Sequence, residues 1–150
     1  MVRSIALALS LLVSTAPVLA QKTAAPQGPF AAARGFTCTF PIYDTARWTG
    51  TKPEIFTGDQ EFTFQIDAFD FKKGRARLAS GTGSTLASVV LTQTGLNVIE
   101  QTPIGNFNLT TVFVGGGTGN TYLAVNSRHN GDVSAAPKIS QNYGTCELVK

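Results

Sequence analysis

Three observations predict an all-β domain, an antiparallel meander of about eight strands closed into a small barrel. From Phe36 onward, short runs of β-branched and aromatic residues alternate with Gly, Pro, Asn and Thr clusters, and no segment carries a convincing helical period. The connections between runs are short, so consecutive strands are antiparallel neighbours. Two cysteines, Cys38 and Cys146, stand in the first and last runs. A bond between them sets the end strands side by side, which closes the meander and removes its exposed edges. A two-sheet β-sandwich with adjacent ends satisfies the same facts and is the alternative.

The first strand is expected over Phe36 to Tyr43, with Phe36, Cys38, Phe40 and Ile42 on one face and Thr37 and Thr39 on the other. A segment around Trp48 and the turn residues Pro53 and Gly58 lead to Glu61–Phe71. There Phe62, Phe64, Ile66 and Ala68 alternate with Glu61, Thr63, Gln65 and Asp67, as a half-buried strand does. Lys72-Lys73-Gly74 fits a turn with glycine in the left-handed position, returning through Arg75 to Ser80 with Ala76 and Leu78 inward. Thr85–Gln93 and Leu96–Glu100 form a second hairpin. Asn106–Val114, with Phe107, Leu109 and Phe113 on one face, is answered by Thr121–Ser127 across the glycine-rich tip Gly115–Asn120, and the last strand runs from about Ile139 to Val149.

Ahead of this domain, the chain reads as an exported protein's start. Arg3 precedes an apolar run from Ile5 to Val13, Pro17 breaks it, and Val18-Leu19-Ala20 offers a signal-peptidase site after Ala20. The run is too short to span a bilayer, and Gln21 rather than Cys follows the cut, so neither a membrane span nor a lipid anchor is expected. The expected organisation is a signal peptide over 1–20, a flexible segment over 21–35 and a single β-domain over 36–150, in the periplasm or outside the cell. In an oxidising compartment the cysteine pair reads as one disulfide. Its ends lie 108 positions apart in the chain, and chain entropy assigns such a closure at most about 4.7 kcal/mol.

Charge and composition exclude more than they suggest. The formal charge of the full chain is +3, and cleavage removes Arg3, so the mature protein is nearly balanced. No basic stripe with interleaved aromatics is present, which argues against nucleic acid as a partner. One histidine, two bridged cysteines and scattered carboxylates do not supply the clustered ligands of a metal site, and no cofactor is indicated. The glycine run at Gly115–Gly119 lacks the Lys-Ser/Thr ending of a phosphate loop. Lys72, Lys73, Arg75 and Arg77 could meet an anionic headgroup or polysaccharide, but Arg75 and Arg77 alternate with Ala76 and Leu78 as a solvated outer face does. The sequon Asn108-Leu109-Thr110 lies within a strand and matters only in a glycosylating host.

Catalytic candidates are thin. His129, the single histidine, would have to serve as the base of any triad, with Asp132 as orienter, and no Gly-x-Ser-x-Gly elbow accompanies it. Asn130-Gly131 is a turn signal, which makes His129 an exposed residue at a strand end. Asp67, Asp70 and Glu100 offer carboxylates for an acid–base pair, as strand-face charges in any chain do.

The segments TYLAVNSRHN at Thr121–Asn130 and SQNYGTCE at Ser140–Glu147 resemble a group of small exported bacterial proteins of unassigned function. Ile66-Asp67, IEQTP at Ile99–Pro103 and GNFNLTT at Gly105–Thr111 fit the same group. The resemblance implies an exported bacterial origin and no activity. The expected function is non-enzymatic binding of a ligand or cell-envelope partner at a patch of Arg128, His129 and Tyr143, where arginine and tyrosine offer fixed donors and amphipathic area. A hydrolase of envelope material, using His129 or the carboxylates, and a structural or stress protein without a ligand site are the alternatives. No catalytic residue is assigned, and the oligomeric state is not read from the sequence.

Overall fold

The structure, a computed structural model, describes residues 28–132 and 135–149. The expected signal peptide, its cleavage point after Ala20 and residues 21–27 lie outside them. Nine strands are described: β1 (Gly35–Thr49), β2 (Lys52–Gly58), β3 (Phe62–Asp70), β4 (Arg75–Ser80), β5 (Gly83–Leu91), β6 (Gly95–Gln101), β7 (Phe107–Phe113), β8 (Thr121–Asp132) and β9 (Ala135–Val149). Consecutive strands from β3 to β9 pair antiparallel, β3 pairs with β1, and β1 pairs with β9. That last ladder, added to unbroken pairing from β1 through β3 to β9, closes an eight-stranded barrel and leaves no division into the two sheets of a sandwich. Among the described residues there is no helix, and so none long and apolar enough to cross a membrane.

The ninth strand, β2, lengthens one wall. β1 pairs with β9 along one edge; along the other it pairs first with β3, then with β2 beyond Tyr43. Thus β2 and β3 act as one long strand interrupted at 59–61. Pro53 sits in β2 opposite Trp48, a position open to proline because no further strand needs its missing N–H. Reading Pro53 and Gly58 as turn residues overlooked this strand, and it also ended the first strand six residues early.

Side chains fill the barrel in rows set by strand register. Cys38 lies directly across from Cys146, and their Cα atoms are 3.9 Å apart, within the limit of about 7 Å for a bridge. Above them Leu96, Val112 and Ala124 share a row on β6, β7 and β8, all buried. Below, Phe30 closes the end. It is fully buried and meets Phe36 edge-on at 5.2 Å and Tyr122 at 4.8 Å between ring centroids. The turn holding it is tied by Ala31 N–H to Gly28 O and Ala33 N–H to Phe30 O. The packed unit therefore includes residues 28–34, which the Ala- and Pro-rich composition had assigned to a flexible lead-in ending at Gly35.

Two irregularities change which residues face inward. Between Thr39 and Ile42, β1 carries one more residue than β9 opposite it. This bulge reverses the alternation: Phe36, Cys38 and Phe40 are buried below it, Thr45 is buried above it, and Ile42, expected inside, is 48% exposed. The partner of the bulge is Gly144, where an added Cβ would collide with the Thr39 carbonyl and Phe40 Cα. Gly144→Ala is expected to cost about 1–3 kcal/mol, as overpacking does, read as a lower midpoint in urea unfolding. In β3, the register shifts between Asp67 and Asp70 while Ala68 takes a positive φ of 50°. Ala68 is exposed rather than inward, and the chain instead presents Phe69 to Phe36 and Phe71 to the core cluster. The next turn follows expectation, with Gly74 at φ 61°.

On β7, Phe107, Leu109 and Phe113 share one face as expected, and that face is the outer one. Thr110 and Val112 are buried, whereas Phe107 and Phe113 are each 39% exposed. The face turned inward carries Asn108 and Thr110, because the upper interior of this barrel is polar.

Candidate functional site

The end of the barrel opposite Phe30 opens into a cavity of about 420 Å³. Period-two alternation builds it. On β6 Val98 and Glu100 face inward, on β7 Asn108 and Thr110, on β8 Asn126, Arg128 and Asn130, while Phe62, Phe64 and Leu78 line the facing wall. Register stacks these residues in two levels. The lower level runs across Val98, Thr110, Asn126 and Asn142; the upper runs across Glu100, Asn108, Arg128 and Ser140.

The lower level is a closed hydrogen-bond chain. Asn126 Nδ2 donates to Thr110 Oγ1 at 2.9 Å, and Asn142 Nδ2 donates to the Asn126 carbonyl at 3.0 Å and to its Oδ1 at 3.2 Å. Thr110, Asn126 and Asn142 are all buried, and a satisfied buried network of this kind fixes its members' orientation. It separates the apolar lower barrel from the cavity.

The upper level is different in character. Asn108 Nδ2 donates to Glu100 Oε2 at 2.6 Å. Arg128 extends across the opening, its Cζ 4.6 Å from the centroid of Phe62, a cation–π geometry. The buried Oδ1 atoms of Asn106 and Asn108 accept no hydrogen bond among the described residues. The level thus offers a cation held over an aromatic ring on one side and oxygen acceptors on the other.

Of the three residues expected to form one patch, only Arg128 reaches this cavity. His129 follows it on the strand and faces outward, 6.3 Å from the ring of Phe107. The Asn130-Gly131 pair is no turn. β8 continues through it to Asp132, because β9 supplies a partner as far as the Asp132–Ala135 pair. Tyr143 lies on the outer surface, 39% exposed, with its hydroxyl donating to Gln141 Oε1 at 3.1 Å. Desolvation, followed by the neighbouring Asp44 carboxylate, raises its phenol above the usual value.

The carboxylates considered for acid–base chemistry are also dispersed. Asp67 forms a two-pronged pair with Arg77 across β3 and β4, at 2.8 and 2.7 Å, and these hydrogen bonds hold its pKa below the usual value. Asp70 caps the turn at the closed end: it accepts the Lys73 backbone N–H at 3.1 Å, which lowers its pKa. Arg75 and Arg77 are exposed, as the outer-face reading expected. Glu100 alone enters the cavity. Among the described residues no group of three or more His, Cys, Asp or Glu is placed to hold a metal ion.

Glu100 enters the sequence reading only as a candidate acid–base carboxylate, and Asn106, Asn108 and Asn126 are not among its candidate site residues. Their signal is the polar repeat at every second position in Asn106-Phe107-Asn108-Leu109-Thr110 and Asn126-Ser127-Arg128-His129-Asn130, which marks one strand face without saying whether it looks inward. No protein-family model, curated protein or solved structure matches the chain.

Proposed function

We propose that this chain is an exported, non-enzymatic binding protein that holds a small ligand in the mouth of its barrel, with Arg128 receiving an anionic group of that ligand. The observation that carries this reading is the position of Arg128, in the upper polar level of a cavity whose opposite end is sealed. Barrel mouths are a preferred place for small-molecule sites, and 420 Å³ lies within their usual range. Arginine's planar fork matches a carboxylate or phosphate in two-pronged geometry, and stacking on Phe62 fixes the fork's direction. The dispersal of His129, Asp67, Asp70 and Glu100 favours binding over hydrolysis.

Export rests on the leader pattern ending at Ala20 and on the Cys38–Cys146 bond, which fits an oxidising compartment. Periplasm or extracellular space is the proposed address, and cell-envelope material the proposed source of ligand.

The test is a calorimetric titration with a low-mass fraction of envelope extract, run beside a screen for hydrolytic turnover. Arg128→Ala should weaken binding by roughly 1.5–3 kcal/mol, the range for a hydrogen bond to a charged group, while His129→Ala should leave it near neutral. Arg128→Lys should recover part of the loss, since charge remains without the fork. Turnover that disappears in the His129→Ala protein would replace the binding reading with the hydrolase.

A further inference from the structure

The wall formed by β6 and β7 carries a deficit of donors. Glu100, as a carboxylate, only accepts hydrogen bonds, so the Asn108 group 2.6 Å from its Oε2 has to be the amide NH₂. That contact fixes the flip of Asn108 and leaves its Oδ1 as an acceptor facing no donor. Asn106 repeats the situation next to it. Its backbone is held in the β6–β7 loop, with N–H donating to Thr102 Oγ1 at 3.1 Å and the carbonyl accepting from Thr102 N–H at 2.9 Å. Its side-chain oxygen is buried and unmatched. Two residues with an unmatched amide oxygen and one with a carboxylate therefore line the same part of the cavity.

Each buried acceptor without a donor is destabilising, so a group that can donate to two of them beside a carboxylate is favoured at this wall. A hydroxyl brings one donor and leaves the carboxylate's charge unmatched. A hard metal cation takes six or more oxygens, usually with several carboxylates among them, and this wall has one. A protonated primary amine brings three donors and a positive charge, which answers both needs.

We infer that Glu100, Asn106 and Asn108 form a seat for a primary ammonium group, so that the ligand of the mouth is zwitterionic. This rests on the mouth being the binding site, with Arg128 at its anionic end. Asn108 pairs with Arg128 on the adjacent strand, about 5 Å away at strand spacing, and Glu100 is one strand further. Amine and acid must then sit close together on a compact body, with Phe64, Leu78 and Val98 offering an apolar surface for the remainder. A short peptide with a free N-terminus and an amino-sugar phosphate both meet this description.

Calorimetry on the mature protein distinguishes the sources with two matched series. Leucyl-glycine is compared with N-acetyl-leucyl-glycine, and glucosamine 6-phosphate with glucose 6-phosphate. In one series the amine-bearing member should bind about tenfold tighter or more than its amine-free partner, the size of one charge-assisted hydrogen bond. The series that responds names the source. Glu100→Gln keeps an acceptor for Asn108 and removes the charge, and it should bring the two members of that series within about twofold of each other. Asn106→Ala should reduce binding of the amine member only.

Equal binding of amine-bearing and amine-free members would overturn the ammonium seat while leaving the Arg128 reading in place, provided Arg128→Ala abolishes both. Preference for the amine that persists in Glu100→Gln would overturn the assignment to this wall. Failure of every probe to bind at millimolar concentration would overturn the seat and the Arg128 reading together.

Discussion

Phe30→Ala destabilises the barrel by about 3–5 kcal/mol, the range for emptying a buried aromatic site. The ring is fully buried and stands at the closed end, in edge-on contact with Phe36 and Tyr122. Partial collapse around the gap is limited, because Phe36 and Tyr122 are anchored on two separate strands of a closed sheet. Losing the plug also admits water to the lower rows, whose members are apolar and gain nothing from it. Denaturant unfolding of the disulfide-intact protein measures the effect. A change below about 1 kcal/mol would mean that residues 28–34 fold independently of the barrel and that Phe36 is the true start of the cooperative unit.

Cys38→Ala combined with Cys146→Ala is expected to remove about 2–5 kcal/mol, with the chain-entropy value of about 4.7 kcal/mol near the upper end. The bond joins residues 108 apart in sequence and directly opposite in register. Oxidation thus restricts the unfolded chain heavily while adding to a ladder that backbone pairing already forms. Both sulfurs belong to fully buried residues, so thiol reductant should leave the native protein oxidised in buffer and act once denaturant opens the chain. The comparison is between midpoints for wild type with and without reductant and for the double variant. Stability of the double variant within about 1 kcal/mol of wild type would show that the β1–β9 ladder alone maintains closure.

Much of the fold was legible because two signals agree. Alternation in Phe62–Ile66 and in Ala76–Leu78 has one buried face each, and the short turns between runs leave no room for crossovers. The cysteine pair then closed the ring. What alternation cannot report is a reversal of its own phase. The bulge at Thr39–Ile42 and the left-handed Ala68 each insert one residue, and everything beyond them changes face. Ala68 carries no glycine or other local mark, whereas the β1 bulge holds Pro41, a residue that a strand paired on both sides accepts at a bulge.

The site was half legible for a related reason. Arg128 was singled out for its chemistry, and its neighbour His129 was taken with it although adjacent strand residues point to opposite sides. Tyr143 was chosen for its amphipathic ring and lies on the outside. On β7 alternation separates Asn108 and Thr110 from Phe107 and Leu109 without saying which pair looks inward. In a barrel whose upper interior is lined by polar side chains, polarity no longer says which way is in.

The two polar levels above an apolar base have a further consequence. Rigidity resides in the rows from Phe30 to Ala124 and in the asparagine chain of Thr110, Asn126 and Asn142. On the binding reading proposed above, discrimination among ligands falls to the level above, Glu100, Asn108 and Arg128, which lines the cavity. Substitutions at that level are free of most of the penalty that accompanies core changes. If the mouth holds a ligand as proposed, two or three replacements at its rim would re-address the same vessel to a different cargo while its shape stayed the same.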